Sequence, residues 1–150
     1  MKITLDVENT TTSRGGKMHF DPFEENNSLV MVGILTDFGE EKIFTFDHAE
    51  KTPDMLSHGL QEYLDKATIL IMHNASHDLL WLWESGFKYK GPVFDTMLVE
   101  YVLQRGQKNA SLALEKCAER YSCDTQKQDS LKEHLRRGGT AYNMEHGLLD

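Results

Sequence analysis

The sequence predicts an α/β protein with a mixed sheet, and three observations carry that prediction. Residues 3 to 8, Ile-Thr-Leu-Asp-Val-Glu, alternate strictly between apolar and polar, which is the period of a strand with one buried face. Two apolar runs, Leu29 to Leu35 and Ile43 to Phe46, are joined by Asp37-Phe38-Gly39 and read as an antiparallel hairpin. From Thr68 onward, short apolar strands alternate with helical patterns, the order that builds a sheet covered by helices.

Each element follows from local chemistry. The first strand puts Ile3, Leu5 and Val7 on one face and Thr4, Asp6 and Glu8 on the other. Thr10 to Asn27 is polar and bears glycine, and is expected to be a long connection. Thr52-Pro53-Asp54 supplies a capping residue, a proline suited to the first helical position and an acid for the helix dipole, so a helix is expected from there to about Lys66. Thr68 to Met72 is a buried strand, His73 to about Glu84 a helix, and Val93-Phe94 a short strand ending at Asp95. Helices are expected at about Thr96 to Gln104, Ser111 to Tyr121 and Ser130 to Arg137. The last has a capping box, Ser130 with Glu133, and Gly138 as terminator.

Composition narrows the function. A chain of 150 residues with 39% hydrophobic residues can bury one sizeable core, so residues 1 to 150 are read as one domain. No apolar run approaches the roughly 18 residues of a membrane helix, and MKITLDVENT lacks the apolar centre of a signal peptide. A soluble protein of the cytoplasm, with no membrane partner, is expected. Cys117 and Cys123 form no CxxC pair and have no His at zinc-finger spacing, which argues against a disulfide scaffold and a structural zinc module.

The net charge of −8 argues against binding nucleic acid through a global positive field. The charge is uneven, however: residues 1 to 65 carry 13 acids and 5 bases, while residues 104 to 137 carry 8 bases and 5 acids. An acidic half able to hold cations precedes a locally basic third, whose Arg105 to Arg137 stretch is suited to phosphates of a single strand or to a solvated helical face.

Three constellations could carry chemistry. Two residues of a strand span roughly 6.6 Å, so Asp6 and Glu8 emerge on one face and can converge on a hard cation. A polar strand face is the plain alternative. Asn74 and Asp78 lie four apart at the start of a helix that follows a buried strand, the place where open α/β sheets put their ligands. Capping by Asn74, with Asp78 a solvated or dipole-compensating acid, is the alternative there. His73 and His77 share that spacing, but Asn74 stands where the zinc-protease signature needs glutamate, so polar flanking is preferred to a zinc site. Asp95 in Phe94-Asp95-Thr96-Met97-Leu98 is expected to be an N-cap. No GxxxxGK[ST], GxGxxG or GxSxG is present, which disfavours P-loop, dinucleotide and α/β-hydrolase chemistry.

Asp6-Val-Glu8, His73-Asn74 with Asp78, and Phe94-Asp95-Thr96-Met97-Leu98 together resemble the successive motifs of the DEDD 3′→5′ exonucleases. The nearest likeness is the proofreading domain of family A DNA polymerases, bacterial DNA polymerase I and its phage relatives. It runs from about Ile3 to Tyr121. The resemblance implies a ribonuclease-H-like three-layer fold, a mixed central sheet with an antiparallel hairpin and helices on both faces. It also implies two divalent ions, Mg²⁺ or Mn²⁺, held by Asp6, Glu8 and Asp78, with Asn74, Thr10 and Leu79 near the terminal nucleotide. Two ions about 4 Å apart would activate a water and stabilise the leaving 3′ oxygen.

The family's third motif, Tyr-x-x-x-Asp or His with an aspartate five residues on, is not found: Tyr142 has His146 at the required spacing. Leu148-Leu149-Asp150 resembles the stretch just before that motif, so the chain is expected to stop short of it, with Asp150 the one candidate for the fourth ligand. The expected substrate is a single-stranded DNA 3′ end, the expected partner a DNA polymerase domain, and the expected setting a bacterial or phage-infected cytoplasm. The alternatives are a ribonuclease-D-like RNA exonuclease and a catalytically incomplete remnant that binds nucleic acid or a polymerase.

Overall fold

A computed structural model of the chain describes residues 1–48, 59–105, 107, 109–123, 137, 139 and 141–143. In chain order the elements are β1 (Lys2–Asn9), β2 (Thr12–Arg14), β3 (Lys17–His19), β4 (Leu29–Thr36), β5 (Glu41–Thr45), α1 (Leu60–Lys66), β6 (Ile69–Met72), α2 (Ala75–Glu84), β7 (Val93–Asp95), α3 (Thr96–Leu103) and α4 (Leu114–Arg120), then a 3₁₀ turn at Ala141–Asn143. Five strands form one sheet in the order β5-β4-β1-β6-β7, and β2 and β3 pair separately. β1 lies at its centre, antiparallel to β4 and parallel to β6. The mixed pairing, an antiparallel meander followed by parallel crossovers, is the ribonuclease-H-like α/β arrangement that the resemblance implies.

The alternation of β1 decides where the core sits. Ile3, Leu5 and Val7 are buried against Leu60 and Leu64 of α1 and Trp81 and Leu82 of α2, in one cluster with Val32, Ile34 and Leu70 of the neighbouring strands. Each such side chain contributes roughly 1.5–3 kcal/mol on burial, enough to fix the register of β1. The other face of β1 carries Thr4 and Asp6, paired in register with Leu35 and Gly33 of β4. With Ile43 they line a groove of about 570 Å³.

The structure departs from the sequence reading in three places. Thr10 to Asn27 is not a plain connection: it contains the β2–β3 hairpin, closed by Gly15 and Gly16 at φ 58° and 75°. Two successive positive φ values suit the twist of a tight hairpin, and glycine adopts them without steric cost. Of the helix expected from Thr52 to Lys66, the described part is α1, which begins at Leu60 after Gly59 at φ 98°, outside helical geometry; residues 49–58 lie outside the described residues. The helix expected from Ser111 begins at Leu114, because Ser111 uses its hydroxyl to accept the Ala113 N–H and the chain is still extended at Ala113. The helix expected over Ser130 to Arg137 falls on residues 130–136, also outside the described residues.

Candidate active site

β1 presents Asp6 and Glu8 on the same face, opposite Gly33 and Met31 of β4. Between Glu8 and Asn9 the register shifts, so that Asn9 pairs with Leu29 and Val30 is left over. A bulge of this kind bends the strand and re-aims the side chains beside it. It marks the end of the strand where Glu8 stands.

The third acid comes from α2. Asp78 sits in its first turn and is 3% exposed. The approach to that turn is unusual: Asn74 precedes the helix in the left-handed region at φ 68° and makes no side-chain cap. Asp95, at the end of β7, caps the helix instead. Its Oδ1 accepts the Asn74 N–H at 3.1 Å and its Oδ2 the Ala75 N–H at 2.9 Å. The same Oδ1 accepts the N–H groups of Met97 and Leu98, at the start of α3. One carboxylate therefore satisfies donors at two helix N-termini and holds α2 at a fixed place beside β1.

The acids perturb one another. Asp78 is pushed up to about 8, chiefly by burial, then by the negative charge of Asp6, Asp95 and Glu8. Glu8 is pushed up to about 7, by burial first and Asp6 second. Asp6 is an exposed residue, and the partial desolvation of its carboxyl raises its pKa. A backbone hydrogen bond at Val7 and attraction to His77 and His73 oppose that rise. The Oδ2 atom of Asp78 is buried without a hydrogen-bond partner. Such an atom in a native structure calls for an explanation, and a bound ion is one. Three acids that resist ionising side by side, one with an orphaned oxygen, fit a hard divalent cation. Among the described residues no three His, Cys, Asp or Glu side chains already converge as a ready shell, so these acids are electrostatic neighbours rather than a closed cage.

The other residues singled out in the sequence take varied places. His73 donates from Nε2 to the Leu112 carbonyl at 2.8 Å and has Nδ1 at 2.8 Å from the Thr96 hydroxyl. His77 donates from Nε2 to Asn9 Oδ1 at 2.9 Å, tying α2 to the end of β1, and its pKa is lowered by burial against the pull of Asp6. The two imidazoles thus serve different partners. The Thr10 hydroxyl accepts the Ser28 N–H at 2.7 Å, closing the neck of the β2–β3 loop. Leu79 is partly buried against the core. Asn74 Oδ1 accepts from the Ser76 hydroxyl at 3.3 Å and caps nothing, while Asp78 is buried rather than solvated and stands in the first turn, where an acid also offsets the helix dipole.

In the basic third, Arg120 is paired with Glu100 and also donates to the Ser111 carbonyl, and Lys116 pairs with Glu119. Asp150 lies outside the described residues. The residues missed in the sequence are Asn9, whose link to His77 spans 68 positions, and Asp95 in its second role. A local pattern could not give either one.

Residues 18–144 match a family described as 3′-5′ exonuclease, which is the exonuclease domain of family A DNA polymerases. The matched span holds Asn74, Asp78 and Asp95 and begins after Asp6, Glu8 and Thr10. No individual curated protein matches the chain.

Proposed function

The chain belongs to the 3′→5′ exonuclease family of family A DNA polymerases, and from that premise we propose that it removes nucleoside 5′-monophosphates from a DNA 3′ end by two-metal-ion hydrolysis, as the proofreading part of such a polymerase. The observation that carries this reading is the mutual coupling of Asp6, Glu8 and Asp78, with the orphaned oxygen on Asp78. These three carboxylates would hold the ions, Mg²⁺ or Mn²⁺. Bound there, two such ions supply a nucleophile at neutral pH and offset charge on the leaving oxygen.

The chain's own residues do the rest. Asp95 fixes the start of α2 and so the height of Asp78 above β1. His77, whose pKa is lowered by burial, pins α2 to Asn9 beside Glu8. Asn74 stands at the exposed edge of this assembly and would position the terminal nucleotide. The preferred partners are a single-stranded DNA 3′ end and a polymerase domain that delivers it.

An assay with a labelled oligonucleotide in magnesium tests the proposal. In a chain extended to include the third motif, Asp6→Ala or Asp78→Ala should cut 3′→5′ hydrolysis by about 100-fold or more, because metal-ion catalysis supplies several kcal/mol and each tenfold in rate is about 1.4 kcal/mol. Near-wild-type rates with an unchanged circular dichroism spectrum would overturn it. Running DNA and RNA strands side by side decides between this reading and a ribonuclease-D-like activity.

A further inference from the structure

The β2–β3 hairpin and the turn after it carry an apolar display with no packing role. Phe20 is 53% exposed and Phe23 66% exposed, and Met18 is exposed as well. Scattered single residues of this kind need no explanation, but three within six positions do.

The backbone under these rings is held firmly. The Phe20 carbonyl accepts from Trp81 Nε1 at 3.1 Å and from Asn9 Nδ2 at 3.4 Å. Asn27 donates to the carbonyls of His19 and Asp21, and Asp21 accepts the Phe23 N–H at 3.0 Å. The rings therefore project from a tethered backbone, which lowers the entropy cost of using them as a contact surface.

The tethers lead to the acids. Asn9 follows Glu8 directly and receives His77, the neighbour of Asp78; Trp81 is three residues further along the same helix. Phe20 is thus one hydrogen bond from each of the two elements that carry the carboxylates. The segment is not basic: Asp21, Glu24 and Glu25 outnumber Arg14 and Lys17, and Arg14 is paired with Glu24. Such a surface is unsuited to phosphates but open to the face of a base, whose stacking on an aromatic ring needs no positive charge.

We propose that Phe20, supported by Phe23, is a stacking platform for an unpaired base of the strand whose 3′ end lies at Asp6, Glu8 and Asp78. The inference rests on the exonuclease reading for where that end sits. The occupant is a single-stranded nucleic acid and not a protein partner.

The test uses a short single-stranded DNA with 2-aminopurine near its 3′ end, in calcium, so that binding is read without depending on turnover. Stacking on Phe20 should quench the probe. Phe20→Ala should lose most of the quench and weaken binding about 10-fold, Phe20→Tyr should restore both, and Phe20→Ala with Phe23→Ala should be weaker still. The Phe20→Ala to wild-type ratio should stay constant between low and high salt, since phosphate contacts alone carry the steep salt dependence. Equal binding and quench in Phe20→Ala and wild type would overturn the platform, as would a wild type that binds no DNA. Quenched binding that depends on Phe20, with no hydrolysis in magnesium even in a chain extended to include a Tyr-x-x-x-Asp, would keep the platform and sink the exonuclease reading. Hydrolysis with an unchanged KM in Phe20→Ala would do the reverse.

Discussion

Asp95 caps a helix to which it does not belong: its Oδ2 accepts the Ala75 N–H at 2.9 Å, across 20 positions of chain, while its Oδ1 caps its own helix at Met97. The parallel pairing of β6 and β7 brings this about, because it sets Asp95 beside Met72, just before the turn into α2. The position of Asp78 therefore depends on a residue that takes no direct part in holding an ion.

Asp95→Ala should destabilise the chain by about 1–3 kcal/mol, since it strips acceptors from two helix N-termini and one cap alone is worth about 0.5–2 kcal/mol. Asp95→Asn keeps an oxygen for three of the four N–H donors and should lose less than half as much. Urea denaturation followed by circular dichroism measures both. Equal losses in the two variants would mean that charge, not acceptor geometry, holds the junction.

The acids make the metal-free chain less stable as pH rises. In the folded state Asp78 titrates near 8 and Glu8 near 7, against ordinary values of 3.8 and 4.5. Below about pH 3 both are protonated in the folded and unfolded states, and the stability they allow is fully present. Between there and pH 8 the unfolded chain has released protons that the folded chain retains, so stability falls. Melting temperature in a chelator should therefore decline from pH 5 to pH 8, and Asp78→Asn should flatten the decline and raise stability at pH 8. Magnesium should oppose the decline, increasingly so at higher pH, because ions and protons compete for the same oxygens. A wild-type melting temperature that rises steadily through this range in chelator would contradict the assignment of buried, coupled acids.

The fourth carboxylate can be sought in one experiment. Leu148-Leu149-Asp150 resembles the approach to the family's third motif rather than the motif itself, so Asp150→Asn should leave the nuclease rate within about threefold of wild type. A chain extended to include a Tyr-x-x-x-Asp should be faster in the same magnesium assay. Abolition of activity by Asp150→Asn would make Asp150 the ligand.

The sequence revealed those parts of the molecule whose causes are local. Ile3, Leu5 and Val7 announce β1 because a two-residue period has one meaning over six positions, and the core is found where they point. Asp6 and Glu8 stood out because acids two apart on a strand share a face, and Asp78 because it lies four residues after Asn74 at the start of a helix. The β2–β3 hairpin escaped, although Gly15-Gly16 was its signal, because strands of three polar residues carry no hydrophobic period. Gly59 was likewise a breaker within the pattern that Thr52-Pro53-Asp54 opens. The cap from Asp95 to Ala75, the bond from His77 to Asn9 and the burial of Asp78 all arise from the pairing of distant segments, which spacing along the chain does not encode.

The central place of β1 has a consequence for biosynthesis. Asp78 is made 72 positions after Asp6, and the clamp at Asp95 later again. At roughly 5–20 residues per second, translation leaves the first two acids without their third for about 4–14 s. During that interval β4 and β5 can pair with β1 as a local antiparallel meander, since those contacts need nothing beyond Thr45. The parallel edge has to wait for β6, whose Ile69 meets Lys2 across most of the nascent chain. The three acids thus come together late in synthesis, once the second half of the sheet has emerged from the ribosome.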